Sequence, residues 1–200
     1  MNGKPRARSL RRTEDAVTSQ DQPQLTDIPL LDLAGAPTSL RPLTTPLLVI
    51  QLVRYFGCLP CQQWLIDLDE ATERLAPIGA QPLAVGGSAD YQARWLREVK
   101  DVAMPLFLDP EQRLRDALHI GKLGVRLLDP RGARSYARAL GQGLRPQGIT
   151  RDTVQAPGVV ILNEQRRVVW QHVGKRIGDY PPLQEVIEVV EELSSSDRQP

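Results

Sequence analysis

The sequence predicts an α/β domain, a mixed central sheet flanked by helices. Its order is β-α-β, then further helices and a strand, then β-β-α, with an insertion before the C-terminal hairpin. Three observations predict it. Pro46 to Phe56 (PLLVIQLVRYF) is nearly continuous apolar sequence, as expected of a strand buried on both faces. Helix-period stretches alternate with short apolar strands around it, which argues a parallel-cored sheet. Two late strands, Gly158 to Leu162 and Arg166 to Val173, are separated only by Asn163-Glu164-Gln165, a hairpin loop that adds an antiparallel side.

Each element has a local reason. Residues 1–25, rich in Arg, Ser, Gln, Asp and Pro, read as a disordered basic tail. Asp27 to Gly35 reads as a short edge strand and a turn, because Pro29 suits only an edge. From Pro60 to Leu75, apolar residues recur at three and four positions (Cys61, Trp64, Leu65, Leu68, Ala71, Leu75), the pattern of an amphipathic helix. Pro60 falls in its first turn, where a missing N–H costs nothing. Ala80 to Val85 is a strand ended by Gly86-Gly87. Ala89 to Lys100 is a helix with Tyr91, Trp95, Leu96 and Val99 on one side. Met104 to Leu108 is a strand, followed by a helix from Glu111 to His119. Gly121 to Gln155 breaks the rhythm; its one expected helix lies around Ala133 to Leu140, and segments this long usually carry function or lack order. Pro181-Pro182 opens the last helix, with Leu183, Val186, Ile187, Val190 and Leu193 inward. One domain is expected over residues 26–193, with a polar, frayed tail over 194–200.

Composition excludes several classes. No apolar run approaches the ~18–20 residues of a membrane span. Two cysteines are too few for a stapled secreted scaffold. The net charge is +1, but Lys4, Arg6, Arg8, Arg11 and Arg12 put +5 in the first twelve residues, leaving the rest slightly acidic. Nucleic-acid binding therefore has no electrostatic support in the folded part. The basic head lacks the apolar stretch of an export signal, so a cytoplasmic setting with reduced thiols is expected.

The two cysteines stand as Cys58-Leu59-Pro60-Cys61. A disulfide closing so short a loop stabilises little, which argues against a structural staple. Zinc needs four ligands, and His119 and His172 lack ligand spacing, so no metal is expected. A Cys-x-x-Cys beside a βαβ pattern is instead the mark of a thioredoxin-like redox motif. It sits at the carboxyl end of a central strand and at a helix start, where unpaired N–H groups and the helix dipole favour a thiolate. The expectation is that Cys58 attacks and the more sheltered Cys61 resolves the mixed disulfide. Arg54, at the end of the strand, is a candidate for the charge that assists it. Pro60 stiffens the turn, Tyr55 and Trp64 are neighbours, and Pro157, entering the hairpin strand, is expected to shape the substrate groove and to be a candidate cis residue.

These residues resemble the thioredoxin fold, and within it the peroxiredoxin-like AhpC/TSA antioxidant proteins. Ile28 to Leu40 (IPLLDLAGAPTSL) is similar to that family's opening strand and loop. Val53 to Cys61 (VRYFGCLPC) resembles its R-x-F-G-C-x-x-C stretch, Gln155 to Leu162 its late Gln-to-Gly strand, and Gly178-Asp179-Tyr180-Pro181 its turn before the last helix. The resemblance covers about Leu25 to Leu193. It implies a thiol–disulfide oxidoreductase or antioxidant protein working with Cys58 and Cys61. Its partners would be a thioredoxin- or glutathione-type reductant and a disulfide or peroxide substrate, with no bound cofactor. Peroxiredoxins carry Pro-x-x-x-Thr/Ser-x-x-Cys around the peroxide-reactive cysteine. Counted back from Cys61, this chain has Cys58 for the hydroxyl residue and Arg54 for the proline. Thiol exchange therefore fits these residues better than fast peroxide reduction. A thiol peroxidase and a non-enzymatic redox-sensing module are the alternatives.

Overall fold

The computed structural model describes residues 24–124, 129–141, 144, 147–148 and 150–196. Most of the expected basic tail, Gln142-Gly143 and residues 197–200 lie outside the described residues.

Seven strands form one sheet in the order β2-β1-β5-β4-β3-β6-β7. They are β1 (Leu30–Leu31), β2 (Pro37–Thr38), β3 (Leu47–Leu52), β4 (Ala80–Gly86), β5 (Leu106–Leu108), β6 (Gly158–Leu162) and β7 (Val168–Val173). β3 runs parallel to β4 and β4 to β5, while β6 lies antiparallel to β3 and β7 to β6. This is the mixed sheet that the alternation predicts. The central strand is shorter than its apolar run: regular pairing stops at Leu52, and Val53 to Gly57 continue as an equally buried turn.

Among the described residues the α-helices are α1 (Leu59–Glu70), α2 (Thr72–Leu75), α3 (Asp90–Val99), α4 (Arg113–Ala117), α5 (Pro130–Gly141) and α6 (Leu183–Ser196). The single helix expected over Pro60 to Leu75 is broken at Ala71. α4 is shorter than expected: the carboxylate of Asp109 accepts the N–H groups of Arg113 and Leu114 at its start, and His119 lies beyond its end with φ 53°. α5 begins earlier than expected, inside the Asp129 to Gly132 turn, and α6 carries on into the segment expected to fray.

The strands' side-chain alternation sends two apolar layers in opposite directions. Leu47, Val49 and Val53 join α1, α3 and α6 on one face. Leu48, Ile50 and Leu52 meet Leu114, Leu118 and the leading residues Ile28, Leu30 and Leu40 on the other. Burying each such side chain contributes about 1.5–3 kcal/mol, so β3, covered on both sides, anchors the fold. On α3 the apolar stripe is displaced from its expected position. Tyr91 and Val99 are exposed, while Gln92 is fully buried, because Gln92 reaches the turn after β3.

The insertion is tied off at its base. Lys122 pairs antiparallel with Gln155, the N–H of Leu123 donates to Val154 O, and that of Ala156 to Gly121 O. Its two ends thus leave the body side by side, next to the start of β6.

Candidate active site

Cys58 and Cys61 sit where β3 gives way to α1. Cys58 is the N-cap residue, with extended backbone, and makes no capping bond with its side chain; Pro60 and Cys61 lie in the first turn. The turn is tight: Cys58 N–H donates to Tyr55 O, and Gln62 N–H to Cys58 O. Gln62 Nε2 reaches back to Phe56 O at 2.9 Å. Gln51, the one polar residue in β3, donates from Nε2 to Cys61 O at 3.1 Å and so pins the Cys61 end of the motif to the sheet. Gln92 accepts the Gly57 N–H at 2.9 Å; a Cβ at position 57 would come within 2.5 Å of that side chain, which is why glycine stands there.

The sulfur atoms are 2.6 Å apart, both are free thiols, and both have zero exposure. A disulfide needs about 2.05 Å, so a small movement links them. The expectation that Cys58 is the accessible sulfur and Cys61 the sheltered one is therefore corrected. The cover explains it: Leu59 packs with Ala139 of α5 and Leu144, and Gly178 (φ +70°) fits so closely between Ser135 and Pro60 that any Cβ there would clash.

Two buried arginines organise the turn. Arg54, 1% exposed, holds Nη1 3.6 Å from Cys58 Sγ, donates from Nε to Gln155 O at 3.2 Å, and donates from Nη2 to Thr153 O. Arg115, 2% exposed, donates to Val53 O at 2.6 Å, to Ala156 O at 2.5 Å and to Gln112 Oε1 at 2.9 Å. Both bridge the β3 turn to the residues entering β6. Burial opposes the Arg54 charge, but the two thiols, Tyr136 and Tyr55 beside it hold its pKa above the ordinary value.

The thiols do not ionise alike. Burial raises Cys58, the hydrogen bond and charge of Cys61 raise it further, and Arg54 offsets only part of this, so Cys58 stays protonated well above the ordinary thiol range. Burial also opposes ionisation of Cys61. There it is outweighed by the bond with Cys58, the Arg54 charge, the Tyr180 hydroxyl and the Arg54 backbone N–H, and the thiol falls to about 7. The sequence expectation placed the thiolate on Cys58 because that residue caps the helix. The bond with Cys58 and the Arg54 charge, both local, favour Cys61 instead.

The other expected residues fall as follows. Tyr55 is buried beside Arg54, its ring 5.8 Å from the guanidinium carbon, and its hydroxyl faces Tyr136 of α5. Trp64 stacks on Tyr180 with ring centroids 5.1 Å apart and donates from Nε1 to Pro181 O at 2.9 Å. Pro60 contributes to the tight fit around Gly178. Pro157 is buried at the head of β6, its carbonyl accepting the Gly174 N–H, and its peptide bond is trans. His172 bonds Asp179 O at 2.9 Å, and no cluster of metal-ligating side chains exists among the described residues. Sequence reasoning missed Arg115, Tyr136 and a role for Tyr180. Gln51 was visible as a lone polar residue in an apolar strand, but nothing local marks Arg115.

Neither known protein families nor curated proteins give a match to the chain. Solved structures do. Peroxiredoxin Q of Xanthomonas campestris superposes with a TM-score of 0.62 at 16% identity, over 85% of this chain and 93% of that one. The bacterioferritin comigratory protein of the same organism, whose structure concerns alkyl peroxide reduction, gives 0.62 at 16% identity, over 90% and 99%. Peroxidoxin BcpB of Mycobacterium tuberculosis gives 0.60 at 12% identity, over 86% and 96%. No helix among the described residues is long and apolar enough to cross a membrane. The mixed sheet, its flanking helices and these superpositions together make this chain a protein of the thioredoxin-like peroxiredoxin fold.

Proposed function

We propose that this protein is a thiol–disulfide oxidoreductase of the peroxiredoxin-like type whose redox pair is Cys58 and Cys61. One observation carries the reading: two free thiols lie 2.6 Å apart at the carboxyl end of β3, with the Arg54 guanidinium 3.6 Å from one of them. Cys-x-x-Cys pairs gain little as staples and much as reaction centres.

The surroundings of Cys61 favour it as the attacking sulfur, with Cys58 resolving. A Cys61 thiolate attacks one sulfur of a substrate disulfide, forming a mixed disulfide and expelling the other sulfur as thiolate. Cys58, giving up its proton, then attacks Cys61 Sγ and expels the second substrate thiol. The substrate has gained two electrons and the protein holds a Cys58–Cys61 disulfide. Two equivalents of a glutathione-type thiol, or a dithiol of the thioredoxin type, return it to the starting state. No bound cofactor is required. Because both sulfurs are fully covered, the cover formed by α5 and the turn at Gly178 must shift to admit a substrate.

The peroxiredoxin fold favours a second reading, with peroxide as the oxidant. Cys61 would then take one oxygen, release water or an alcohol, and condense with Cys58 with loss of water. Arg54, a cation beside the pair, suits either reaction. A redox-sensing module without turnover is the third reading, with the Gly121–Gln155 segment as its contact.

Cys58→Ser and Cys61→Ser separate these readings in a disulfide-reduction assay and a peroxide-consumption assay. Cys61→Ser should abolish turnover, and Cys58→Ser should accumulate a mixed disulfide on Cys61, visible by mass spectrometry. If both variants reduce disulfides and peroxides as fast as the native protein, the proposal fails. Peroxide consumption without disulfide reduction would select the peroxidase. A disulfide that forms but never turns over would select the sensor.

A further inference from the structure

Asp152 is a buried acid, 4% exposed, that the redox reading leaves without a task. Of the other buried charged side chains among the described residues, Asp109 caps α4, and Arg54 and Arg115 brace the turn after β3. Asp152 lies in the short helical turn Arg151–Val154, at the end of the insertion. Its carboxylate joins two loops that follow neighbouring strands of the sheet. Oδ1 accepts Gln112 Nε2 at 3.1 Å, in the loop after β5. Oδ2 accepts the Ser88 N–H at 3.4 Å, in the loop after β4. A Cβ at Gly87 would overlap this carboxylate, so the second glycine of Gly86-Gly87 makes room for Asp152.

Gln112 is equally committed. Its backbone is left-handed, with φ 59°, a conformation uncommon for a residue other than glycine. Both ends of its amide are used, Nε2 by Asp152 and Oε1 by Arg115 Nε at 2.9 Å. Backbones held in this way gather where a structure fixes a functional geometry. The geometry at stake is that of Arg54. Among the described residues Arg54 pairs with no carboxylate. Its Nη1 lies 3.6 Å from Cys58 Sγ, and its other donors go to the carbonyls of Thr153 and Gln155. Thr153 belongs to the Asp152 turn, and the Gln155 N–H donates to Asp152 O at 3.0 Å. Carbonyls therefore set the direction of the guanidinium, and the turn that Asp152 anchors sets the carbonyls.

We propose that Asp152 and Gln112 are positioning residues of the redox site: their hydrogen bond clamps the Arg151–Val154 turn so that its carbonyls hold the Arg54 guanidinium against the sulfur pair. They act through Arg54, and no proton or electron moves through them. A guanidinium that slips from 3.6 Å by about 1 Å loses roughly a fifth of its attraction for a sulfur anion. The other charged or titratable groups around the thiols are Tyr55 in the turn, Arg115 of α4, Tyr136 of α5 and Tyr180 ahead of α6. Of these, Arg115 alone bonds to the clamp.

The inference rests on the redox reading of the pair, and its test reads ionisation rather than turnover. Gln112→Glu leaves an acceptor for Arg115 Nε but sets a second carboxylate against Asp152. Asp152→Asn keeps an acceptor for one donor and turns an N–H toward the other. The double variant restores every pair with donor and acceptor exchanged: the new amide donates to the new carboxylate and accepts the Ser88 N–H. Thiolate ultraviolet absorbance of the reduced protein is followed against pH, on protein shown to be folded by its urea transition. Each single variant should raise the midpoint of the first thiol to ionise by about half to one unit, so that the thiolate fraction at pH 7 falls about two- to fivefold. The double variant should return it to the native value. The two single variants change the charge in opposite senses, so a long-range charge effect alone would move their midpoints in opposite directions. Gln112→Asn is neutral and tolerates the left-handed backbone better, so it keeps the fold while shortening the reach to Asp152. It too should raise the midpoint, and it decides the matter where the other single variants fail to fold. Unmoved midpoints, midpoints that move in opposite directions, or a folded double variant no nearer the native value than the single variants overturn the proposal. Midpoints that move as described while the native protein turns over neither disulfide nor peroxide would keep the clamp and overturn the enzymatic reading.

Discussion

The strand β3 and the turn that follows it are equally buried and built from opposite materials. Leu47 to Leu52 is sealed almost entirely by hydrocarbon. From Val53 to Gln62 exposure is just as low, but the space is filled by Arg54, Gln62 and the incoming side chains of Gln92 and Arg115. Apolar burial is tolerant, because any side chain of similar volume recovers most of the stabilisation. Polar burial is not, since every donor removed strands a buried acceptor. The contrast teaches where this molecule keeps its chemistry: in the part of the core that had to be wired rather than packed.

Replacing Arg115 by Met is the strongest way to test that contrast. It leaves Val53 O, Ala156 O and Gln112 Oε1 without their donor. Removing one side of a buried charged network costs ~3–5 kcal/mol, to be read from urea unfolding. Ile50→Val in the hydrocarbon part, fully buried though it is, should cost only ~0.5–1.5 kcal/mol. If the two variants are equally destabilised, the distinction between wired and packed regions is wrong.

The smallest net effect should come from pH, because the two thiols pull in opposite directions. Cys61 titrates at about 7 in the folded protein, below its ordinary value. Between there and the ordinary thiol value the unfolded chain binds more protons, so reduced protein should gain stability as pH rises through that window and lose it as pH falls back through it. Cys58 is raised, so its contribution is present below the ordinary thiol value and is lost at higher pH. The unfolding free energy should therefore pass through a maximum on the alkaline side of neutrality. Cys61→Ser should remove the rising limb and leave the falling one; a rising limb that persists would mean that another group titrates there.

The parts of the structure readable from sequence are those governed by short-range pattern. The apolar run of β3, the period of α1 and the Asn163 to Gln165 hairpin each carry their own signal. Cys58 and Cys61 were found for the same reason, being three residues apart. Which of them ionises was not legible, because it turns on burial and on how the Cys58 thiol and the Arg54 guanidinium are oriented toward Cys61, which spacing does not encode. The stripe of α3 misled for a related reason: Gln92 is turned inward by bonds to the Gly57 N–H and to Gly148 O, pairings no local periodicity encodes. Arg115 looks like an ordinary helical arginine until the fold brings two loop carbonyls to it.

The separation of the two sulfurs also governs how the protein would fare under excess oxidant. A sulfenic acid on Cys61 has two fates, condensation with a thiol or a further, irreversible oxidation to sulfinic acid. With Cys58 Sγ already 2.6 Å away, the first is a race run over no distance, while the second must wait for another oxidant molecule to pass a closed cover. Inactivation by overoxidation should thus be rare in the native pair and common once Cys58 is gone.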